Sequence, residues 1–555
     1  MASAVALIIT DESEGRLGLP SRLDRRIGER SVLEHTVQRV ARVRSVGSVV
    51  LVHPREQDPL SRLNGATFGK PVQGYADPGR LRDELLPMRR AARKWSLSAW
   101  RGGLAGAGCY DEILPAGPLV AAMSERGADS ALLVGADWPL VDPDLCDRVL
   151  EKHLSDPESF AFTFTQAPPG LAGAAASRKL LEHVAEHDGT FGQMLSYNPS
   201  SPQADPIGRD PCVQIAPEVR SSRHRFIYDT NRSATLVDEV ADRLGSRFDA
   251  ADSVETAGAV VALDERRPRG FAPLPQQVTL ELTPQRPVAG PIAPQHYVDL
   301  DRAPMPLDLA VDLVRQLGAQ GDAALMLGGL GDALCHEHWF EIAEAAHDAG
   351  VLGIAIQTDL LVDEPVLERI VASPIDVVCV RLNADTAAIY ESVSGVDRFR
   401  QVIENLQWLL TRRRRPRAEG DRARGLPWVV PHLVKTTQTL GDMETFFDRW
   451  VHFAGAAVIE PATTGCGLMP SLSPVRTHPP LRVGCRQLDA RMTILSDGRV
   501  ARCDQDWLGR DAAGDARQTP LAEIWRSMDA LRAAHAEERW GELPGCAECE
   551  QWHRP

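Results

Sequence analysis

Four of the ten cysteines lie near the C-terminal end, at Cys485, Cys503, Cys546 and Cys549. Cys546 and Cys549 stand two residues apart in a Gly-Cys-Ala-Glu-Cys segment, a spacing that lets two thiolates face the same metal. Arg491–Leu495, Asp497-Gly498 and Arg499–Cys503 read as a hairpin with an Asp-Gly turn. Cys503 ends that hairpin and Cys485 precedes it, so the hairpin makes them a second pair. Four thiolates suit a structural zinc or a [4Fe–4S] cluster, and spacing alone leaves both open. The other six, Cys109, Cys146, Cys212, Cys335, Cys379 and Cys466, are scattered, too sparse for a disulfide scaffold. Cys335, His336 and His338 stand close together, but a metal site is not expected there.

The elements that must position these thiolates belong to a long chain. Its 555 residues include 43% hydrophobic and 25% charged residues, with a formal net charge of -15. At roughly 100–200 residues per domain this length predicts about three domains. The acidic balance argues against nucleic acid as a partner. The basic run Arg412–Arg417 reads as a solvated loop. No apolar run reaches the roughly 18–20 residues of a membrane span, and Met1–Thr10 reads as a buried strand rather than a signal peptide. A cytoplasmic protein with no membrane partner is expected.

Apolar runs at Val5–Ile9, Val49–Val52 and Ala131–Gly135, with a helical pattern over Ser31–Val43, predict an α/β domain over residues 1–250 with a parallel sheet. A Pro-rich, charged stretch over 251–277 reads as a linker. From 278 to 470, six strands alternate with helices. They begin at Val278–Leu282, Ala324–Leu327, Gly353–Gln357, Val377–Leu382, Trp428–Leu433 and Ala456–Ile459. Such a series predicts a partial βα barrel whose ligand face is built by the βα loops. The small cysteine module occupies 479–555. There Thr519 reads as a helix cap, followed by a helix with Leu521, Ile524, Trp525, Met528 and Leu531 on one face.

The module, from Cys485 through Ile494–Asp504 and Pro520–Trp525 to Gly545–Trp552, resembles the SPASM module of radical SAM enzymes. That resemblance implies one [4Fe–4S] cluster held by Cys485, Cys503, Cys546 and Cys549. The preceding region resembles the radical SAM barrel. Glu281-Leu282-Thr283-Pro284 stands where that family's first strand enters its CxxxCxxC loop, but Arg286, Gly290 and Ala293 occupy the cysteine positions. The barrel therefore cannot build the usual cluster, and S-adenosylmethionine is not expected as a cosubstrate. Gly328-Gly329-Leu330-Gly331-Asp332 resembles the loop that receives the cosubstrate in the family, and glycines suit a ligand carboxylate or phosphate. Arg381-Leu382-Asn383-Ala384 follows the same pattern as a fold marker.

Residues 1–250 resemble nucleotide-sugar cytidylyltransferases, a Rossmann-like fold, through Arg16–Pro20, Ile27–His35, Gly135–Pro143 and Arg225–Thr230. The resemblance implies that Asp137 and Asp229 hold Mg²⁺ and that a nucleotide is bound. Departures are the acidic residues Asp11, Glu12 and Glu14 in the phosphate loop, expected to repel a triphosphate, and Ser21 where a lysine would follow Pro20. The whole layout resembles the spiro-SPASM proteins. Three readings follow. One is an impaired radical SAM/SPASM protein serving in electron transfer, binding of a protein or peptide partner, or substrate presentation. The second is an active Mg²⁺-dependent nucleotidyltransferase. The third is an unorthodox radical enzyme that uses the cluster at the C-terminal module.

Overall fold

Six consecutive apolar residues, Ala-Val-Ala-Leu-Ile-Ile, form the first strand, β1 (Ala4–Ile9), and all six are buried. A strand buried on both faces belongs inside a parallel sheet covered by helices, and such strands read as continuous rather than alternating apolar runs. The computed structural model describes residues 4–554 except 64, 80, 82–83, 188, 196–210, 265–269, 415–424 and 476–477. The chain forms two compact units, Met1–Arg267 and Pro268–Pro555.

In the first unit, β2 (Arg26–Ile27) and β3 (Arg30–Ser31) make a small antiparallel ribbon. The main sheet comprises β1, β4 (Val46–Pro54), β5 (Val72–Asp77), β6 (Ser130–Gly135), β7 (Phe162–Thr165), β8 (Ala174–Ser177) and β9 (Cys212–Val213). Its order is β5-β4-β1-β6-β8-β7-β9. β1 pairs in parallel with both β4 and β6, whereas β8 runs antiparallel to β6 and β7. The helix Val32–Ala41 starts where the sequence places it, because Ser31 and Glu34 close a capping box. Part of the expected linker is helical instead. Ser253–Asp264 forms a helix that buries Thr256, Ala257 and Val260, and Glu265–Arg269 lie outside the described residues.

The second unit is built on one nine-stranded sheet. Six strands run in sequence order and in parallel: β10 (Gln277–Leu280), β11 (Ala324–Leu327), β12 (Gly353–Thr358), β13 (Val377–Arg381), β14 (Trp428–Lys435) and β15 (Val458–Pro461). Helices Leu307–Gln320, Trp339–Asp348, Glu364–Ala372, Phe399–Arg412 and Met443–Ala454 lie between them. The basic run enters the end of the fourth of these helices, and Arg415–Arg417 lie outside the described residues.

The sheet continues with β16 (Arg491–Ile494), β17 (Arg499–Ala501) and β18 (Gly514–Asp515). β16 pairs in parallel with β10, from Gln277 opposite Arg491 to Leu280 opposite Ile494. β17 then folds back on β16 through the Asp497-Gly498 turn. The cysteine-bearing hairpin is therefore part of the same sheet as the six parallel strands. The helix after Thr519 differs from expectation: Pro520 is its N-cap residue, and the element breaks at Met528 into Leu521–Ser527 and Asp529–Ala536.

Ile494 is fully buried in the core that joins these strands to Trp525 and Leu521. Ile494→Ala should lower stability by about 2–5 kcal/mol, read as a lower urea midpoint. An unchanged midpoint would show that the hairpin does not share the core of the parallel strands.

Candidate functional sites

Each cysteine of the C-terminal set is partly buried. Burial, with Cys549 as neighbour, pushes the Cys485 thiol up to about 11. The Cys503 thiol is raised by burial and then by nearby Asp504, Cys485 and Cys546. Burial raises Cys546, with Cys549 adding to it and Arg502 and Arg482 opposing it. Each of the four thiols thus feels the charge of two others: Cys485 with Cys503 and Cys549, and Cys546 with the same two. The Asp497-Gly498 turn serves the hairpin, with Gly498 at φ 87° and Asp497 accepting from the Arg499 backbone.

Cys466, set aside as scattered in the sequence, lies beside this set: its sulfur is 3.4 Å from where a Cβ on Gly545 would stand, and interaction between the two thiols draws Cys549 down to about 6 and raises Cys466. Sequence reasoning also missed the polar surroundings. His535, 4% exposed, accepts the Cys485 backbone N–H at Nδ1, 3.2 Å away, so the ring proton sits on Nε2. Burial, and then Arg482 and Arg502, push His535 down to about 4 and keep it neutral. His535 Nε2, Arg482 Nε and Arg502 Nε are buried with no acceptor among the described residues. Such donors are costly to leave unmade, and inorganic sulfide beside four thiolates would accept them. Among the described residues no three His, Cys, Asp or Glu side chains converge on a single-ion site. A cubane asks less convergence, since its ligand sulfurs stand roughly 6–7 Å apart around bonds of about 2.3 Å.

On the carboxyl side of the parallel strands, Gly331 packs so tightly on the loop after β10 that an added Cβ would lie 1.8 Å from the Thr283 carbonyl oxygen. Asp332 N–H donates to the Gln285 carbonyl at 2.8 Å. Arg286 is buried and ion-pairs with Asp359 at 2.5 Å. Gly290 lies against the Ser394 backbone, and Ala293 is fully buried. Arg381 donates to the carbonyls of Gly329 at 2.6 Å and Gly331 at 3.0 Å. Asp332 accepts from Thr358 and from the Asp359 N–H, and burial followed by the charge of Asp359 pushes it up to about 6. His432 on β14 pairs with Glu460 on β15 at 2.5 Å. Burial opposes the His432 charge, but Glu460 outweighs it and raises His432 to about 10. His336 is structural: Nε2 bonds the Met305 carbonyl, and Nδ1 accepts the His338 N–H.

In the first unit, Asp137 and Asp229 line one cleft with Ile9, Asp11, Glu14, Arg16, Ser21, Arg22 and Tyr228. Asp137 follows β6. Asp229 does not end a strand but precedes the helix Asn231–Leu244, capped by Thr230, and the Tyr228 N–H to Asp137 carbonyl bond, 2.8 Å, ties the two segments. Arg225 pairs with Asp229 at 2.5 Å and with Glu112 at 2.6 Å, and Arg93 pairs with Glu112 at 2.8 Å. The acidic loop is compensated rather than bare. Glu12 pairs with Arg62 and Glu14 with Arg90, while Asp11 accepts from Ser13 in its own loop and from Gln57 just after β4.

These features define a two-unit α/β protein whose second unit carries a cysteine-bearing hairpin on a parallel sheet. Residues 485–550 match SPASM, an iron–sulfur cluster-binding domain, and the C-terminal module is such a domain. A protein of Treponema pallidum (strain Nichols) described as uncharacterized is 29% identical over 129 residues, 23% of this chain and 35% of that protein. The chain thus spans about a third of that relative's length. Solved structures similar in part include BtrN in complex with AdoMet and 2-DOIA, at 13% identity over 50% of this chain and 93% of that one, TM-score 0.35. Streptococcus suis SuiB bound to precursor peptide SuiA is similar at 12% identity over 49% and 69%, TM-score 0.38. A cytidylyltransferase from Leptospira borgpetersenii serovar Hardjo-bovis (strain JB197) is similar at 14% identity over 48% and 95%, TM-score 0.31. Among the described residues no helix is long and apolar enough to cross a membrane.

Burial and then the charge of Asp229 push Asp137 up to about 7. A carboxyl group raised in the folded state stabilises fully below its unfolded value, and that contribution is lost as pH rises through about 7. In metal-free buffer, Asp137→Asn should match the parent near pH 4 and exceed it by up to about 4 kcal/mol at pH 8, measured by urea denaturation. Equal stability at both pH values would show that Asp137 is not held protonated.

Proposed function

We propose that this protein binds one [4Fe–4S] cluster through Cys485, Cys503, Cys546 and Cys549, and that its barrel does not reductively cleave S-adenosylmethionine. The domain division behind this reading is a nucleotidyltransferase-like unit over 1–250, a degenerate radical SAM-like barrel over 278–470 and the cluster module over 479–555. The observation that carries it is the SPASM match over 485–550, supported by thiols that each feel the charge of two others of the set. A cluster held this way supplies one-electron transfer. The protein's residues hold its thiolates, offset their charge with Arg482 and Arg502, and offer buried N–H donors.

The loss of the second cluster has physical support. Arg286, at the position of the first cysteine in the family's loop, is committed to Asp359. Arg381 occupies two carbonyls of the loop Gly328–Asp332 that would face a cosubstrate. The face is filled by its own ion pairs, which fits electron transfer, or binding of a protein or peptide partner, better than radical generation. Anaerobic purification should yield iron and sulfide in equal amounts, about four of each per chain, and no S-adenosylmethionine cleavage under reducing conditions. One zinc without iron would end the cluster reading, and cleavage products would end the impaired-barrel reading.

A second reading has its own observation: Asp137, Asp229, Arg16 and Arg22 line one cleft. Two carboxylates there would hold Mg²⁺ through oxygen ligands, and the arginines would meet nucleotide phosphates. Calorimetric titration with CTP and Mg²⁺ decides it. Saturable heat that Asp137→Ala abolishes upholds a nucleotidyltransferase, and no heat at millimolar nucleotide retires it.

A further inference from the structure

Cys485 ends a short segment, Arg482–Cys485, that is tied to two others. One is the Cys-x-x-Cys turn: Arg482 donates to the Cys546 carbonyl at 2.6 Å and to the Ala547 carbonyl at 3.2 Å. The other is the end of the helix Asp529–Ala536. A Cβ on Gly484 would stand 3.4 Å from the His535 carbonyl oxygen, and the Cys485 N–H donates to His535 Nδ1 at 3.2 Å. That helix is anchored in turn to the residues just after Cys485, because the buried Arg532 donates from Nε to the Leu488 carbonyl at 2.8 Å. Trp540 joins the two sides. Its ring centroid lies 5.0 Å from the Arg482 guanidinium and 6.4 Å from the His535 ring.

An imidazole whose Nδ1 accepts a hydrogen bond carries its proton on Nε2. That N–H is buried and meets no acceptor among the described residues. A buried donor left bare costs about 1–3 kcal/mol, yet this ring is held firmly in place by its other nitrogen. The Arg482 Nε–H is likewise buried without an acceptor. Both side chains are already bonded to the backbone of cluster ligands, His535 to Cys485 and Arg482 to Cys546. The chemistry that fits such donors is an anionic sulfur, a thiolate or an inorganic sulfide. A hydrogen bond to a cluster sulfur stabilises the reduced, more negative state more than the oxidised one, and so raises the reduction potential.

We propose that His535 donates its Nε2 N–H to a sulfur of the cluster and thereby sets the reduction potential of the centre, with Nδ1 held on the Cys485 backbone to aim it. The proposal rests on the cluster reading above. The two ring nitrogens then have separable roles: Nδ1 holds a ligand's backbone, and Nε2 acts on the charge of the centre. Two amides separate them. The Asn side-chain oxygen reaches the place of Nδ1 and still accepts the Cys485 N–H, but Asn has nothing at the place of Nε2. The Gln side-chain nitrogen reaches the place of Nε2 and still donates, but the acceptor at Nδ1 is lost.

The test is anaerobic reconstitution of the full chain with iron and sulfide, then an EPR-monitored redox titration of the parent, His535→Asn and His535→Gln. His535→Asn should keep iron and acid-labile sulfide at the parent level. Its midpoint should fall by about 59 mV, a tenfold drop in a one-electron reduction equilibrium, the size of one hydrogen bond to a charged group. His535→Gln should keep the parent midpoint. A purely structural role predicts the reverse ranking, with His535→Asn like the parent and His535→Gln impaired, and that result overturns the proposal. An equal fall in both variants also overturns it, since packing of the ring would then be the cause. So does loss of the cluster from a His535→Asn chain that circular dichroism shows to be folded. A further readout needs no variant: isotopic labelling of histidine nitrogen in the parent should change the weak nitrogen coupling in the pulsed EPR of the reduced cluster, and no change overturns the proposal. A parent chain that takes up no iron overturns the underlying cluster reading, a result distinct from any difference between the variants.

Discussion

The buried ion pair between Glu281 and Arg302 holds the second unit's chemistry in register. Glu281 is 1% exposed and accepts from Arg302 Nε and Nη2 at 2.8–3.0 Å. Its oxygen also takes the Ser496 N–H at the hairpin turn, and its own N–H goes to the Ile494 carbonyl. Arg302 then donates to the Trp507 carbonyl at 2.9 Å. One carboxylate therefore ties the end of β10, the turn between β16 and β17, and the segment on which Gly465 and Cys466 rest. Removing either partner would leave the other charge buried and unpaired, which typically costs about 3–5 kcal/mol. Sheet pairing sets the direction of the hairpin, and this pair sets where its far end lies.

The same logic of mutual neutralisation fills the carboxyl face of the parallel strands. Arg286 meets Asp359, Asp332 takes the N–H of Asp359, and Arg381 spans Gly329, Gly331 and Gln357. Two cations and two carboxylates balance there. A face of this kind is usually where βα-loop ligands bind. Here these four charged side chains already have partners in the chain, and a ligand would have to displace ion pairs whose breaking leaves buried charge. The cysteine site stands in contrast, with buried N–H donors that find no acceptor among the described residues.

Much of this was legible where physics is local. The capping box of Ser31 and Glu34, the buried runs of β1 and β6, the Asp497-Gly498 turn and the Cys-x-x-Cys spacing are all statements about neighbours in sequence. The six strands of the second unit were legible because apolar runs and helical patterns alternate. Less legible was what depends on distant pairing. The helix Ser253–Asp264 hid inside a stretch judged by its charged and proline residues, and the helix at Thr519 begins one residue later than its cap suggested. Cys466 gave no pairwise spacing to read, since the turn at Gly545 that it lies beside comes far later in the chain. The available signal was its place: a cysteine between two glycines, just past the last parallel strand, where the backbone can turn sharply. The acidic loop of the first unit misled for a related reason. A run of carboxylates says nothing about Arg62 and Arg90, which reach it from elsewhere in the chain.

The first unit carries the same alternation of charge into its cleft, and it bears on what a metal would have to do there. Arg93, Glu112, Arg225 and Asp229 form an unbroken buried series of opposite charges, ending beside Asp137. Asp137 is the one acid in this group with no arginine ion pair among the described residues, and it is the one driven up by burial and by Asp229. A divalent cation between the two aspartates would relieve that repulsion directly. It would also compete with Arg225 for Asp229, so affinity depends on how readily Asp229 turns from the guanidinium toward the cleft. Arg225 would not be stranded by that turn, because Glu112 still holds it. The series thus gives Asp229 a second partner to leave for at the cost of one ion pair rather than a buried bare charge.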